Sequence, residues 1–468
     1  MNGASSWTVE LASGLRMAVP PRLDSITTYV LLEQERWFEP EIGLLQRLLQ
    51  PGMNALDIGA NHGVYALEMA RAVGRGATPG HVWAFEPTSA PRTRLARSVA
   101  LNGLEDRLSI VPAALAEAAG ETSFVVSEHS ELNRRGDDGP QRETVQLLSL
   151  DAWIAEHAAD RPIAFVKLDA EGGELQVLAG AQRFFATQSP MVMFEFLHGK
   201  TAALPLVDAW RALDYGLFRY SDELALLLPF DPATDERDFA LNLLAVRPAQ
   251  QFELAARGLL VTAADLAAEP VIPMPGDSLH ERLLLAVAAV HGAMPLRPAQ
   301  RVRLLLQVRD TLQAQTAADA RLSISTWALQ VHALQAMGAQ CASVALTARL
   351  LAAWPAGAPV DQPFLPPLRA QFADGAGQGL RALLAEHLER HSAHSSYFGS
   401  GPLRGLAELL DEPAHGAETE RRWLLSHALR NRSAPLARIH LLHDAAHTRN
   451  AVLWQGLMNA MAPAAAIA

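Results

Sequence analysis

The sequence predicts a doubly wound α/β domain with a Rossmann-like sheet, followed by an all-α domain. The first observation is a short apolar segment at residues 54–58 that ends in a glycine-containing turn, after which a helical pattern begins. The second is that strand-like and helical segments alternate up to about residue 247. The third is that the later chain is helical in pattern and rich in alanine and leucine.

Composition limits the classes of protein that fit. The chain has 468 residues, half of them hydrophobic, which is enough for two domains with sizeable cores. Its net charge of −11 argues against a broad nucleic-acid surface. A single cysteine, Cys341, excludes an internal disulfide and favours a reducing compartment. Because neither a signal-peptide pattern nor an apolar run of membrane-spanning length is evident, we expect a cytoplasmic protein without a membrane span.

The N-terminal region predicts two small elements ahead of the main sheet. Residues 7–11 and 15–19 have the alternation of a hairpin around a Ser-Gly turn. Residues 27–35 and 41–49 follow helical spacing, and Pro51-Gly52 ends the second helix.

The first strand of the sheet leads into a D-x-G-x-N-x-G motif formed by Asp57, Gly59, Asn61 and Gly63. Glycines at these positions leave the backbone bare, so that a ligand can approach it. The motif differs from the G-x-G-x-x-G pattern of dinucleotide sites, and a carboxylate at its start would repel a pyrophosphate. A ligand with cationic groups suits it better, and S-adenosylmethionine carries both an ammonium and a sulfonium.

Glu86 ends the second strand, at residues 81–85, about two dozen residues beyond the glycines. A carboxylate at this position suits a ribose diol, because it accepts two hydroxyl hydrogen bonds. The alternative is a solvated acid at a helix N-terminus. After the third strand, at residues 107–111, the small side chains of Ala113 and Ala114 leave room for an adenine edge.

Residues 127–142 are polar, contain glycine and have no regular period. Long loops of this kind in compact domains are usually functional, so this loop is a candidate cover for the substrate. His129 and Asn133 are possible contacts, although each is more simply an ordinary loop residue.

A second motif follows the apolar strand at residues 163–168. Lys167 and Asp169 fall on one face of that strand at its carboxyl end, and Glu171 follows on the turn. Such a group of side chains can bind a substrate hydroxyl and remove its proton. The alternative is an ion pair next to acids that favour a helix N-terminus, which is the role we assign to Glu174. The acids form an incomplete metal ligand set, so no metal is predicted.

Later segments complete the α/β pattern. Residues 191–194 predict a fifth strand, and the β pattern at residues 242–246 predicts an antiparallel edge. Prolines at residues 270, 273 and 275 suggest a linker. The predicted organisation is therefore an α/β domain at residues 1–248, a linker at 249–280 and a helical domain at 281–468.

Together these motifs resemble the FkbM-type methyltransferases. The resemblance covers about residues 30–247 and rests on D-I-G-A-N-x-G from Asp57, F-E-P from Phe85, N-G-L from Asn102 and K-x-D-x-E-G-x-E from Lys167. It implies a class I methyltransferase fold, S-adenosylmethionine as the methyl donor and, most often, O-methylation of a sugar or natural-product hydroxyl. The predicted cofactor-binding residues are Asp57, Gly59, Ala60, Asn61, Gly63, Glu86, Pro87 and Asn102.

The chemistry that this resemblance implies needs few catalytic groups. The methyl group on a sulfonium is already activated, so the enzyme mainly holds the nucleophile in line with the carbon–sulfur bond. A neutral alcohol must also lose its proton, and a nearby base assists that step. Asp169 is the first choice for this base or for orienting the hydroxyl, with Glu171 and Lys167 positioning it.

The helical region predicts an accessory domain. Partner binding, dimerisation and a substrate cap are its candidate roles. Residues 327–355 have the length of one tetratricopeptide-like helix pair, without convincing repetition. Histidines at 387, 391 and 394, and at 440, 443 and 447, have helical spacing that can hold a metal, but solvated or half-buried histidines explain them more simply.

Three functional hypotheses remain open from the sequence. The first is an active O-methyltransferase with a small-molecule or glycan acceptor. The second is a non-catalytic interaction protein that binds the cofactor and recruits a protein partner through its helices. The third and weakest is a dinucleotide-dependent oxidoreductase, because the phosphate-binding fingerprint is absent.

Overall fold

The computed structural model describes residues 6–22, 25–126, 134–135, 142–198, 201–232, 241–274, 276–318, 324–353, 384 and 449–453. The chain divides into two compact units. Unit 1 comprises the described parts of Met1–Tyr220, Leu241–Glu253 and Thr448–Leu453. Unit 2 comprises the described parts of Ser221–Ala240, Leu254–His447 and Trp454–Ala468.

The described strands are short, as is usual for a sheet covered by helices. They are β1 (Trp7–Glu10), β2 (Arg16–Val19), β3 (Asn54–Ile58), β4 (Val82–Phe85), β5 (Leu108–Val111), β6 (Ala113–Leu115), β7 (Gly120–Val125), β8 (Arg134–Arg135), β9 (Arg142–Leu148), β10 (Ile163–Leu168), β11 (Met191–Glu195), β12 (Leu197–His198), β13 (Thr201–Ala202), β14 (Gly216–Ser221), β15 (Leu226–Pro229) and β16 (Asn242–Val246).

The described α-helices alternate with these strands in unit 1 and follow one another in unit 2. They are α1 (Ile26–Gln34), α2 (Glu41–Leu48), α3 (Val64–Val73), α4 (Ser89–Asn102), α5 (Leu150–His157), α6 (Glu174–Ala179), α7 (Gln182–Thr187), α8 (Leu204–Ala212), α9 (Pro248–Ala256), α10 (Ala263–Ala268), α11 (Leu279–Ala288), α12 (Pro298–Ala318), α13 (Ile324–Ala336) and α14 (Gln340–Ala353).

The main sheet confirms the predicted α/β fold class. Within unit 1 its strands lie in the order β14-β16-β11-β10-β3-β4-β5. The β11-β10-β3-β4-β5 part is parallel, and β16 pairs antiparallel with both β11 and β14. Nearly every residue of β3, β4, β10 and β16 is buried, because helices cover both faces of such a sheet.

The register of the sheet determines which side chains meet at its carboxyl edge. Lys167 on β10 lies opposite Asp57 on β3, which lies opposite Ala84 on β4. Side chains in register on adjacent strands share a face, so the lysine and the aspartate are neighbours. Asp169, two residues beyond Lys167, falls on the same face just past the strand end.

The N-terminal hairpin of β1 and β2 forms as predicted and is attached to α4. The backbone amide of Ala18 donates a hydrogen bond to Ser98 Oγ (2.9 Å). Asn102 pairs with the backbone of Arg16: Oδ1 accepts from the amide (2.9 Å), and Nδ2 donates to the carbonyl (2.7 Å). These bonds join the hairpin to the last turn of a helix that packs on the sheet.

Two features of unit 1 differ from the sequence prediction. A second sheet, in the order β6-β9-β7-β8, was not predicted, because β9 buries only Val145 fully and so has little apolar alternation. β16 lies between β11 and β14 instead of forming the edge. The predicted cover loop at residues 127–142 lies mostly outside the described residues, and His129 and Asn133 lie outside them entirely.

Unit 2 is built mainly of helices around its own apolar core. That core includes Leu283, Val287, Leu305, Val308 and Leu329, all at most 1% exposed. The four helices α11 to α14 of this unit confirm the helical pattern of this part of the sequence. The histidines of the two predicted groups, at 387, 391, 394, 440, 443 and 447, lie outside the described residues.

The segment predicted as a linker, residues 249–280, has regular structure of its own. Most of α9 and all of α10 fall within it, and the side chains of Thr262 and Asp265 form a capping box at the start of α10. Leu259, Leu260 and Val261, between the two helices, are at most 5% exposed. The prolines therefore mark only the end of this segment, and its first half is folded.

In the part of the chain that the structure describes, no helix combines the length and the apolar character needed to cross a membrane.

Candidate active site

A cleft opens at the carboxyl ends of β3, β4 and β10 in unit 1, the edge at which open α/β sheets bind ligands. It encloses about 700 Å³, including space continuous with solvent. Its lining combines the glycine turn, the tip of β4, the start of the small sheet and the turn after β10. The lining residues are Ile58, Gly59, Asn61, Phe85, Glu86, Pro87, Thr88, Ala113, Ala114, Leu115, Phe124, Asp169, Ala170, Glu171 and Gly173.

The glycines of the first motif are required by the packing of the chain itself. Gly59 has φ +82°, and a Cβ added there would lie 1.7 Å from the carbonyl oxygen of Asp169. Gly63 has φ +87°, and its Cβ would lie 2.1 Å from Leu95 Cδ1 on α4. The bare backbone predicted for Gly59 therefore contacts the turn after β10, while Gly59 also lines the cleft.

Glu86 lies at the tip of β4 and is 5% exposed. Its Oε2 accepts a hydrogen bond from the Asn61 amide (2.8 Å), and its Oε1 accepts from the amide (2.8 Å) and hydroxyl (2.5 Å) of Thr88. Burial raises the pKa of Glu86, although these hydrogen bonds oppose the rise. Because each carboxylate oxygen has two lone pairs and these bonds use three of the four, one lone pair on Oε2 remains for a hydroxyl in the cleft.

Lys167 and Asp169 form a close ion pair, with Nζ 2.6 Å from Oδ2. The lysine side chain is 6% exposed, while that of Asp169 is 30% exposed and lines the cleft. Burial alone would lower the pKa of Lys167, but the carboxylates of Asp169, Asp57 and Glu39 raise it well above its ordinary value. The lysine is therefore charged and acts on the cleft only through Asp169.

Asp57 is fully buried and lies beside this ion pair. Burial is the main cause that raises its pKa to about 7, and Lys167 opposes the rise. Neither oxygen has a partner with hydrogen-bond geometry, although the Ala66 amide is near enough to lower the pKa slightly. Asp57 does not line the cleft, so its direct neighbour is Lys167 and not the space for a ligand.

Glu39 and Tyr65 complete this group, and neither was predicted from the sequence. The Lys167 ammonium lies 4.9 Å from the centre of the Tyr65 ring, a cation–π distance. Tyr65 Oη donates to Glu39 Oε2 (2.5 Å), which also accepts from Asn242 Nδ2 on β16 (2.7 Å). Only the tertiary fold brings these residues together, and no local motif marks them.

Glu171 and Glu174 have different roles in the turn after β10. Glu174 Oε1 accepts from the amides of Ala170 (2.9 Å) and Gly172 (3.1 Å), which confirms its assignment as a structural acid at the start of α6. Glu171 has φ +51°, rare for a residue with a side chain, and it lines the cleft. Burial, with Asp169, Glu195 and Glu174 nearby, raises the pKa of Glu171 well above its ordinary value.

The structure brings six of the predicted site residues to the cleft and places five behind or away from it. Asn102 is attached to the N-terminal hairpin, and Ala60 is buried with its amide bonded to Phe85 O (3.0 Å). The six that line the cleft are Gly59, Asn61, Glu86, Pro87, Asp169 and Glu171. The five that do not are Asp57, Ala60, Gly63, Asn102 and Lys167.

The charged side chains in the described lining of the cleft are all acidic. The lining contains the carboxyl groups of Glu86, Asp169 and Glu171, and no lysine, arginine or histidine among the residues described. Such a lining favours a ligand with positive charge and disfavours a pyrophosphate.

The fold and the cleft define an α/β domain with a candidate ligand site at the carboxyl edge of a parallel sheet. Residues 57–220 match the family model of the methyltransferase FkbM domain, the family that the motifs predicted. No curated protein sequence matches the chain significantly.

Solved methyltransferase structures show distant similarity. A methyltransferase FkbM from Methylobacillus flagellatus KT is 18% identical with a TM-score of 0.29, over 44% of this chain and 50% of that one. A SAM-dependent O-methyltransferase from Thermotoga maritima is 13% identical with a TM-score of 0.27, over 52% and 77%. A putative rRNA-methylase from Clostridium thermocellum is 13% identical with a TM-score of 0.27, over 44% and 90%. This chain thus spans about half the length of the Methylobacillus protein.

Proposed function

We propose that this protein is an S-adenosylmethionine-dependent O-methyltransferase whose acceptor is a hydroxyl of a sugar or another small natural product. The observation that carries the proposal is the acidic lining of the cleft: three carboxyl groups and, among the described residues, no basic side chain. S-adenosylmethionine is cationic at its sulfonium and ammonium groups, whereas a dinucleotide is anionic. The acceptor class rests on the FkbM resemblance, and the single cysteine supports a cytoplasmic location.

The cleft has the features that the cofactor needs. Glu86 has acceptor capacity on Oε2 for one ribose hydroxyl, and its hydrogen bonds to Asn61 and Thr88 fix its orientation. Ala113 and Ala114 provide small side chains beside it, which leave space for a flat base. When bound, S-adenosylmethionine supplies a methyl group that its sulfonium sulfur already activates.

Two carboxyl groups of the cleft have different roles toward the acceptor hydroxyl. Lys167 holds Asp169 in one position, so Asp169 is suited to accept a hydrogen bond from the acceptor and orient it. Glu171 has a raised pKa, which makes its ionised form a stronger base than an ordinary glutamate. We therefore assign proton removal to Glu171 and orientation to Asp169, a change from the order of preference that the sequence suggested.

The test combines binding and turnover in the full chain. Calorimetry should show S-adenosylmethionine binding and no comparable binding of NADH. Methyl transfer from radiolabelled donor to a panel of sugars and hydroxylated natural products should then identify an acceptor. Glu86→Ala should weaken donor binding, and Asp169→Asn should lower turnover by about 100-fold with little effect on donor affinity.

Glu156→Gln is the matched control, because that carboxylate is 78% exposed on α5. It should leave both binding and turnover unchanged. Donor binding without turnover on any acceptor would favour a non-catalytic interaction protein. Tight NADH binding would overturn the proposal in favour of an oxidoreductase.

A further inference from the structure

Three side chains from distant parts of unit 2 meet in a cluster that the methyltransferase site does not use. Glu223 lies in the turn before β15, His291 at the kink that follows α11, and His332 on α13. One ligand atom from each lies within 4.8 Å of the other two. The two Nε2 atoms are 2.7 Å apart, and Glu223 Oε2 is 3.5 Å from His332 Nδ1. We call these residues the Glu-His-His cluster.

The cluster adjoins an apolar interior. His332 is 1% exposed, and Val290 and Val331, which flank the two histidines in sequence, are fully buried members of the unit 2 core. Polar groups in such surroundings are costly unless they are paired, yet Glu223 Oε2 is buried without a hydrogen-bond partner. The cluster therefore contains a carboxylate oxygen whose lone pairs no hydrogen bond uses, so that they could bind a metal ion.

The surrounding structure holds the three segments in place. Arg301 donates from Nε to the Val290 carbonyl (2.7 Å) and from Nη1 to the Leu224 carbonyl (3.3 Å). Those carbonyls adjoin His291 and Glu223, so one arginine ties both segments together. Ser221 Oγ donates to the Ala336 carbonyl (2.5 Å) and connects the Glu223 turn to α13.

The backbone at His291 is also irregular. The helical backbone ends here: His291 (φ −91°, ψ 18°) and Gly292 (φ +102°, ψ 6°) both have non-helical dihedral angles. The chain turns out of α11 at the residue that supplies one of the imidazoles.

We propose that the Glu-His-His cluster binds a divalent transition-metal ion of the zinc type, with one nitrogen from each histidine and one carboxylate oxygen as ligands. Imidazole nitrogens favour such an ion over calcium or magnesium. Zinc–ligand distances of about 2.0–2.2 Å place tetrahedral ligand atoms roughly 3.3 Å apart. One ligand atom from each of the three residues lies within 4.8 Å of the other two, so small side-chain shifts bring them to that spacing. His291 is partly exposed, which suits water as a fourth ligand.

The charge environment is compatible with this site. Burial lowers the pKa of His332 to about 3 and lowers that of His291, so both rings are neutral, which is the form that binds metals. Arg301 opposes a cation at His291, whereas Asp222 lies near Glu223 and favours one. Burial, with Asp222 nearby, raises the pKa of Glu223 to about 8, and a bound cation would favour its ionised form.

A bound ion would cross-link three segments of unit 2. It would join residues separated by 68 and 41 positions in the sequence (223 to 291, and 291 to 332), and such cross-links stabilise a folded unit. This role is independent of methyl transfer, because none of the three residues lines the cleft of unit 1.

The experiment uses the full chain without an affinity tag, stripped of metal and titrated with Co²⁺ and then Zn²⁺. We expect one saturable site per chain with the visible absorption of tetrahedral Co²⁺, displacement by Zn²⁺, and a higher unfolding temperature with Zn²⁺. His291→Ala should weaken Zn²⁺ binding by about 100-fold or more, and Glu223→Gln by about 10-fold or more, because each removes a ligand. His332 is left intact because it is part of the core.

His157→Ala is the matched control, since it removes a half-exposed histidine from unit 1 and should leave the site unchanged. Circular dichroism of each variant without metal should match the wild type, so that lost binding reports a lost ligand. Absence of a saturable site, or equal binding by wild type and His291→Ala, would overturn the proposal. The cluster would then be a hydrogen-bonded histidine pair with a neighbouring carboxyl group.

Discussion

Glu171 combines an unusual backbone conformation with an unusual acid–base environment. Left-handed φ values in residues with side chains cost about 1 kcal/mol or more and occur preferentially at functional sites. Asn61, which also lines the cleft, has φ +49°. The two turns that face the cleft from β3 and β10 are thus both held in conformations that the surrounding structure must enforce.

The first prediction concerns the pH dependence of methyl transfer. A base must be ionised to accept a proton, and the pKa of Glu171 is raised, so kcat/KM should increase with pH to an inflection above the ordinary glutamate value. Glu171→Gln should lower kcat by about 100-fold and remove that inflection. The measurement is a pH–rate profile of both proteins. An unchanged inflection in the variant would assign the titration to another group.

The second prediction concerns Asp57 and stability. Its folded-state pKa of about 7 lies above the ordinary aspartate value of 3.8, so the folded state favours the protonated form. The free energy of unfolding that this preference contributes is fully present at low pH and is lost as pH rises through about 7. Asp57→Asn has no such titration. Its free energy of unfolding relative to that of the wild type should therefore increase by about 1–3 kcal/mol between about pH 5 and about pH 8.

Urea unfolding at both pH values measures this difference in the free energy of unfolding. If the wild type instead gained stability relative to Asp57→Asn as pH rose, the ion pair of Asp57 with Lys167 would outweigh the cost of burial.

The third prediction uses two glycines with the same backbone conformation. Gly59 has φ +82° with the Asp169 carbonyl where a Cβ would lie, while Gly14 has φ +83° and open space there. Gly14→Ala should cost only the conformational strain, about 1–2 kcal/mol. Gly59→Ala should cost about 1–3 kcal/mol more, from overpacking. Thermal or urea unfolding of both variants checks this, and equal costs would show that the contact relaxes freely.

At the scale of elements, the first motif serves the fold as much as the ligand. The glycines and Asp57 are predicted to line the cofactor, and in the structure Gly63 packs against Leu95 while Asp57 lies in the electrostatic field of Lys167. Asn102, also expected at the cofactor, attaches the N-terminal hairpin to α4.

The fourth prediction separates these two roles of Asn102. Asn102→Ala removes the hydrogen bonds to Arg16 and should lower the free energy of unfolding by about 1 kcal/mol. Donor affinity should stay unchanged, because the residue does not line the cleft. Ser98→Ala, which removes another hydrogen bond between hairpin and helix, is the matched control for the stability effect. A loss of donor affinity of about tenfold or more in Asn102→Ala would support the cofactor role predicted for this residue.

Much of unit 1 was predictable because its signals are local. Strand β3 and helix α3 have the expected bounds, since a buried strand, a glycine turn and a helix each have a distinct pattern. The small sheet was missed because β9 is mostly exposed and β6 has only three residues. Glu39 and Tyr65 were missed because their meeting with Lys167 depends on the packing of separate elements.

At the scale of the whole molecule, charge is the property that the sequence and the cleft share. The chain carries a net charge of −11, and the described lining of the cleft has three acids and no base. Both features raise the local concentration of cations and lower that of polyanions.

The fifth prediction follows from this electrostatic preference. S-adenosylhomocysteine lacks the sulfonium charge, so the donor should bind more tightly than this product, and the ratio should shrink a few-fold as salt is raised from about 0.01 M to about 0.15 M. Calorimetric titrations of both ligands at two salt concentrations measure the ratio. A ratio independent of salt would mean that the acids do not face the sulfonium.

The contact between Gly59 and the Asp169 carbonyl has a kinetic consequence. The backbone segment that faces the donor and the segment that carries the acceptor-orienting carboxylate touch without an intervening side chain. Any displacement of one on ligand entry is transmitted to the other. We therefore expect an ordered mechanism in which the donor binds first and raises the affinity for the acceptor. In steady-state kinetics, the demethylated product should inhibit competitively against the donor and not against the acceptor.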